Sequence, residues 1–232
     1  SISGGAGNDT VIGSEGDDTI LASTGNDDLH GGAGDDTFLY SEGDGADDFH
    51  GGEGNDTVKA TGDDTNITID SNFDADNSIE TISSDGHSGV TVTGDYSNQT
   101  LDFSATNLDG IESISGGAGN DTVIGSEGDD TILASTGNDD LHGGAGDDTF
   151  LYTDGDGADD FHGGEGNDTV KATGNDTNIT IDSNFDADNS IETISSDGHS
   201  GVTVTGDYSN QTLDFSATNL DGIESISGGA GN

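Results

Sequence analysis

The sequence predicts an all-β fold, a parallel β-solenoid of two tandem 112-residue modules. Three observations predict it. A unit of nine residues, rich in Gly and Asp, recurs six times in succession between residues 4 and 59. A large apolar residue holds the eighth place of each unit, at Val11, Ile20, Leu29, Phe38, Phe49 and Val58. No helical periodicity lasts beyond two turns, whereas runs rich in Thr, Val and Ile alternate elsewhere.

The units justify themselves in order. Residues 4–12 read GGAGNDTVI, 13–21 GSEGDDTIL, 22–30 ASTGNDDLH and 31–39 GGAGDDTFL. The next, 40–50, is YSEGDGADDFH and two residues longer, and 51–59 return to GGEGNDTVK. The first six places are small and Gly-rich, which suits a tight turn with positive φ. The last three form a short strand whose alternation points the eighth side chain inward and its neighbours outward. Two successive units then close one coil, so odd units stack on odd and even on even.

Beyond residue 60 the glycine turns fade. NITID at 66–70, SIETIS at 78–83, GVTVT at 89–93, TLDF at 100–103 and GIESIS at 110–115 remain β-rich. They are expected to form metal-poor coils or a small cap, with Ile67, Ile69, Phe73, Ile79, Ile82, Val90, Val92, Leu101, Phe103, Ile111 and Ile114 as core. The whole of 1–112 returns at 113–224 with three differences, Ser41/Thr153, Glu42/Asp154 and Asp63/Asn175. Each module therefore divides into a Gly/Asp roll (4–59 and 116–171) and a metal-poor part (60–112 and 172–224), and 225–232 begins a third copy.

Composition excludes several functions. The 232 residues carry 49 acids against 2 bases, a formal charge of -47, with 27% apolar residues and no Pro, Cys, Met or Trp. Phosphates need a basic surface, so neither nucleic acid nor an anionic membrane surface is an expected partner. No run approaches the ~18 apolar residues of a membrane span, so no membrane insertion is expected. Without cysteine there is no disulfide, thiolate metal site or thiol catalysis. The chain opens on Ser1 with no signal peptide, which reads as an internal piece of something longer. A chain this acidic and this poor in apolar residues stays unfolded unless a multivalent cation neutralises it.

The spacing of the acids favours the cation. Asp holds the sixth place at Asp9, Asp18, Asp27, Asp36, Asp47 and Asp56, and again at Asp121, Asp130, Asp139, Asp148, Asp159 and Asp168. Stacked coils lie about 4.8 Å apart, so the Asp of one unit meets the Asp two units later. Bare carboxylates this close repel; Ca²⁺, which takes six to eight oxygens at about 2.3–2.6 Å, converts repulsion into ligation. Magnesium demands a rigid octahedron and suits such turns less. The expected ladders are Asp9–Asp27–Asp47 and Asp18–Asp36–Asp56, with Asp64 and Asp176 as candidate continuations of the odd ladder and Asp44 as an extra carboxylate at the insertion. Turn carbonyls at the first and third places complete the shell: Gly4, Ala6, Gly13, Glu15, Ala22, Thr24, Gly31 and Ala33, then Gly116, Ala118, Gly125, Glu127, Ala134, Thr136, Gly143 and Ala145. This pairing places roughly eight to ten calcium ions on the two modules. Asn or Asp at the fifth place is expected to shape the turn.

The units resemble the G-G-x-G-x-D-x-U-x nonapeptide of the RTX (repeats-in-toxin, haemolysin-type calcium-binding) family over 4–59 and 116–171, about half the chain. The resemblance implies a right-handed parallel β-roll with calcium between stacked turns, export through a type I system, and folding outside the cell. Near-identical tandem copies point to an extender segment of a giant surface adhesin or biofilm protein, partnered by calcium, by neighbouring repeats of the same chain, and through other domains by cell-surface or matrix molecules. A folding module attached to a secreted enzyme and a glycan- or cell-binding repeat are the alternatives. No catalytic role is expected in the chain itself, because a thin solenoid offers no pocket.

Two side features remain. His30 and His50 share the ninth place of odd units and should stack on the outside. A transition metal could bridge them, though two exposed histidines beside a calcium ladder is the plainer reading. Thr19, Thr37 and Thr57 form an outward row, but Leu21, Leu39 and Lys59 beside it break the regular array an ice-binding face requires.

Overall fold

The nonapeptide sets the local geometry, and pairing along the chain sets the rest. A computed structural model describes residues 1–230. The last two residues of the third copy, 231 and 232, lie outside the described residues. The chain divides into two compact units, one of residues 1–95 and 99–114, the other of 96–98 and 115–230 among the described residues.

The first unit holds β1 (Ile2–Ser3), β2 (Thr10–Ile12), β3 (Thr19–Leu21), β4 (Asp28–Ala33), β5 (Thr37–Tyr40), β6 (Ala46–Glu53), β7 (Thr57–Ala60), β8 (Asn66–Ile69), β9 (Thr81–Ser83), β10 (Thr91–Gly94), β11 (Thr100–Asp102) and β12 (Asn107–Asp109). β13 (Ser113–Ser115) falls where the chain passes to the second unit. There follow β14 (Thr122–Ile124), β15 (Thr131–Leu133), β16 (Asp140–Ala145), β17 (Thr149–Tyr152), β18 (Ala158–Glu165), β19 (Thr169–Ala172), β20 (Asn178–Ile181), β21 (Thr193–Ser195), β22 (Thr203–Gly206), β23 (Asn219–Asp221) and β24 (Ser225–Ser227). One-turn 3₁₀ helices at Ala75–Asn77 and Ala187–Asn189 are the helical elements among the described residues.

The strands pair in parallel. In the first unit β1, β3, β5, β7, β9 and β12 make one sheet, and β2, β4, β6, β8 and β10 run side by side in another. In the second unit β14, β16, β18, β20, β22 and β24 run together, as do β15, β17, β19, β21 and β23. Alternate strands pair, as a coil of two strands requires. The register follows the repeat: Val11 faces Leu29, Leu29 faces Phe49, and Ile20 faces Phe38 and then Phe38 faces Val58. These eighth-place residues are buried, Val11 at 6% exposure and the other five at 1% or less. Successive turns also touch, through bridges from Ala6 to Thr24 and from Glu15 to Ala33.

The half without the glycine turns continues the coil. β8 pairs with β6 and then β10, and β9 pairs with β7 and then β12. The coil widens: Thr10 pairs with Asp28, two nonapeptide units on, whereas Asn66 reaches its partner Thr91 only after a longer stretch of chain. The wider interior needs more filling. Phe73 and Phe103 pack at 5.2 Å between ring centres, and buried Asn77 and Gln99 donate to the carbonyls of Phe49 and Ile69. Buried amides must find acceptors, and these do. Of the expected core, Ile111 alone is half-exposed; it lies between the bend at Gly110, φ 68°, and strand β13.

Candidate metal centre

The ladders form as hydrogen-bonded chains of aspartates. The backbone N–H of Asp9 donates to Asp27 Oδ1 at 2.8 Å, and Asp27 N–H donates to Asp47 Oδ1 at 2.8 Å. On the other flank Asp18 N–H donates to Asp36 Oδ1 and Asp36 N–H to Asp56 Oδ1, both at 2.7 Å. The second unit repeats this from Asp121 to Asp139 to Asp159 and from Asp130 to Asp148 to Asp168, at 2.8–2.9 Å. The turn delivers each aspartate N–H and carboxylate to the seam between coils, where one oxygen is used up.

In nine of these aspartates the second oxygen has no hydrogen-bond partner. Oδ2 of Asp9, Asp27, Asp36, Asp47 and Asp56, and of Asp139, Asp148, Asp159 and Asp168, is buried without a hydrogen bond. Leaving so many polar atoms unsatisfied is not something a folded chain tolerates without a ligand. The space these oxygens face is small and lined by further oxygens. A Cβ added to Gly31 would collide with Asp36 Oδ2 and with the Gly51 carbonyl; one on Gly143 would meet Asp148 Oδ2 and the Gly163 carbonyl. Third-place carbonyls of Thr24 and Thr136 accept from Gly7 N–H at 2.8 Å and Gly119 N–H at 3.0 Å, and each keeps a second lone pair. An all-oxygen donor set of carboxylates and carbonyls fits a hard dication such as calcium.

Electrostatics agrees. Burial, with the charges of Asp27, Asp44 and Asp70, pushes Asp47 up to about 7. Burial likewise raises Asp139 and Asp148 to about 7, and Asp159 to about 8, each with neighbouring aspartates adding to it. The sign follows. Ordinary aspartate titrates near 3.8, so between about pH 4 and 8 the metal-free fold holds protons that the unfolded chain releases. Stability from these groups is full below pH 4 and is lost as pH rises through 7 to 8. Protons and calcium compete for the same oxygens. Calcium uptake at pH 7 is therefore expected to release protons, and calcium affinity to rise from pH 6 to pH 8; a pH-stat titration without proton release would contradict this.

Not every expected residue joins a ladder. Asp64 and Asp176 do not follow Asp47 and Asp159: both are exposed, with φ of 55° and 57°, and donate their N–H to Ser88 and Ser200 carbonyls at 2.7 Å. The coil lengthens here, Asp47 pairs with Ile69, and the next acid along the flank is Asp70, whose N–H donates to the Asp47 carbonyl at 3.1 Å. Asp18 is in place, but Ser14 N–H and Oγ donate to its Oδ2 at 2.7 and 2.8 Å, holding its carboxyl below the usual range. Ser126 binds Asp130 in the same way, at 2.6 and 3.0 Å, although burial raises that carboxyl. First-place Ala22 and Ala134 bring fully buried methyls where Gly31 leaves room. At the insertion Asp44 is 8% exposed, accepts from Ser41 N–H at 2.7 Å, and adds a raised carboxyl near Asp27. Fifth-place residues make their own outer ladder, Asn26 N–H to Asn8 Oδ1 and Asp35 N–H to Asp17 Oδ1 at 3.1 Å, as a turn-shaping role requires.

One ligand candidate is invisible to the nonapeptide. Glu80 Oε2 accepts the Asp56 N–H at 2.6 Å, and Glu192 Oε2 accepts that of Asp168 at 2.7 Å, so a glutamate closes each even ladder. The signal was the triplet of acid, Thr and apolar residue: Asp56-Thr57-Val58 becomes Glu80-Thr81-Ile82 after the glycines have gone. Glu80→Gln keeps an acceptor for Asp56 N–H but removes charge. It is expected to keep the β circular dichroism in calcium and to lose one ion by native mass spectrometry; an unchanged ion count would remove Glu80 from the site.

A family model of the RTX calcium-binding nonapeptide repeat, in four copies, matches residues 3–38, 43–65, 108–141, 115–150 and 153–170. Comparison with curated proteins finds no match. Between 66 and 107 the family model finds nothing, and there the coil is wide and its turns lack the ladder glycines.

Proposed function

The chain belongs to the RTX calcium-binding nonapeptide repeat family, whose repeats bind calcium ions between turns, and from that premise we propose that it is a structural extender of a secreted surface adhesin or biofilm protein. The near-identity of residues 1–112 and 113–224 carries this reading. A catalytic centre gains little from copying, whereas a spacer gains length with each copy. The proposed cycle follows from charge. In a low-calcium cytosol a chain of charge -47 repels itself and stays threadable for type I export. Outside the cell calcium fills the turns, and binding free energy becomes folding free energy. Roughly eight to ten ions would suffice for the ladders. The role proposed is mechanical, with no catalytic step. Among the described residues no helix is long and apolar enough to cross a membrane.

Small-angle scattering tests the extender reading. Calcium is expected to convert an expanded coil into a stiff elongated particle whose length grows in proportion to the number of 112-residue copies expressed. A particle that stays equally compact as copies are added would refute it.

A further inference from the structure

We propose that each unit carries a second kind of metal site, on the outside of the coil, that takes a transition metal of the zinc class through His30, His50 and Asp28, and through His142, His162 and Asp140. The register builds it. β4 and β6 pair with Asp28 opposite Asp48 and His30 opposite His50. The two-residue period of a strand puts 28 and 30 on one face, outward, while Asp27 turns in toward the calcium ladder. The His30 and His50 rings stack at 4.6 Å between centres, 10° from parallel.

Stacked imidazoles present their Nε2 atoms side by side, and here both face one oxygen. Asp28 Oδ1 lies 2.8 Å from His30 Nε2 and 3.8 Å from His50 Nε2, and Asp48 Oδ2 lies 3.3 Å from His50 Nε2. The second unit has Asp140 Oδ1 at 2.8 and 3.7 Å from His142 and His162 Nε2, and Asp160 Oδ2 at 3.4 Å from His162 Nε2. Asp28 Oδ1 and Asp140 Oδ1 are buried atoms that no aligned hydrogen bond reaches, although the nearest nitrogens are 2.8 Å away. Near-parallel rings send their Nε2 lone pairs out side by side, so a cation held by both rings takes the place of the proton shared with aspartate and requires the rings to tilt toward Asp28 Oδ1 or Asp140 Oδ1. Zinc bonds of about 2.0–2.1 Å to His and Asp in a tetrahedron set ligand atoms about 3.3 Å apart. The separations in the site bracket that value, and the three ligating atoms of each group lie within 4.8 Å of one another. Two imidazole nitrogens distinguish the site from the all-oxygen ladders, because calcium prefers oxygen and imidazole suits zinc, copper and nickel. The side chains are about one-third to one-half exposed, which leaves an entry path and an open coordination position for Asp48, Asp160 or water.

The test uses the full chain saturated with calcium, with Zn²⁺ and Co²⁺ as probes. One zinc per unit is expected by calorimetry without release of calcium, and Co²⁺ is expected to show the intense visible absorption of a tetrahedral site. The double variant His50→Gln, His162→Gln alters surface side chains and is expected to keep its circular dichroism while losing about a hundredfold in zinc affinity. In the unaltered chain the histidine ring resonances should shift on adding zinc, a readout that does not depend on the variant folding. Zinc that displaces calcium, zinc that binds the double variant equally well, or histidine resonances that stay unmoved would each overturn the proposal.

Discussion

Excess EDTA is expected to abolish the β-type circular dichroism of this chain, and calcium to restore it. The argument is one of magnitudes. A buried carboxylate without a counter-charge costs several kcal/mol even after relaxation, about 3–5 where a buried pair has been broken. A domain of this kind has a net stability of only about 5–15 kcal/mol. The seams hold orphaned oxygens of Asp27, Asp36, Asp47 and Asp56 in the first unit alone, all within 2% of full burial. Burial raises Asp47 to about 7, so protonation relieves a few of them near neutral pH. The remaining repulsion exceeds what a chain with 27% apolar residues can offset. A spectrum unchanged in excess EDTA would show that the aspartate seams tolerate one another without metal, and calcium-coupled folding would have to be abandoned. Acidification offers an internal control: the metal-free chain should regain β structure as pH falls below 7, because the proton replaces the metal on the raised carboxyls.

Asp27→Ala is expected to remove two calcium ions, not one. Asp27 belongs to two pairs: its Oδ1 accepts from Asp9 N–H, and its N–H donates to Asp47 Oδ1, both at 2.8 Å. Alanine keeps the second bond and loses the first. The Asp9 N–H then lacks its acceptor, at about 1–3 kcal/mol. A carboxylate also disappears from the seam shared with Asp9 and from the seam shared with Asp47. The effect on stability should therefore depend on calcium. In calcium the variant melts lower; in EDTA, where the parent is itself unfolded, the two should be alike. Native mass spectrometry reads the count directly, and loss of a single ion would contradict the stacking. Asp27→Asn separates the contributions, since it keeps the acceptor for Asp9 N–H and removes the charge.

Much of the candidate site was legible because a solenoid turns sequence period into spatial neighbourhood. Asp9 and Asp27 stand two units apart, and two units are one circuit of the coil. The reading failed where the perimeter changed. Asp64 has the right local company, Gly62 before it and Thr65 after, yet the coil has widened and Asp70 arrives in its place. Glu80 has no glycine turn at all, yet pairing of Thr57 with Thr81 brings it under Asp56. Ser14 is one hydroxymethyl away from the usual Gly, and that group captures Asp18. The Asp64 and Glu80 cases have one cause: register beyond the strict repeat is set by which strands pair, and a local motif carries no information about that.

The amino-acid order alone determined the period, the inward row from Val11 to Val58, the parallel coil and the oxygen-rich chemistry of its turns, because each is a consequence of steric preference and alternation within a few residues. Only the folded chain decided which carboxylate oxygens are consumed by a neighbour's N–H and which are left facing a closed space, and only it set Asp28 against two stacked imidazoles. Those outcomes depend on atoms from successive coils meeting within about 3 Å, a length at which a shift of a single residue in pairing exchanges one donor set for another.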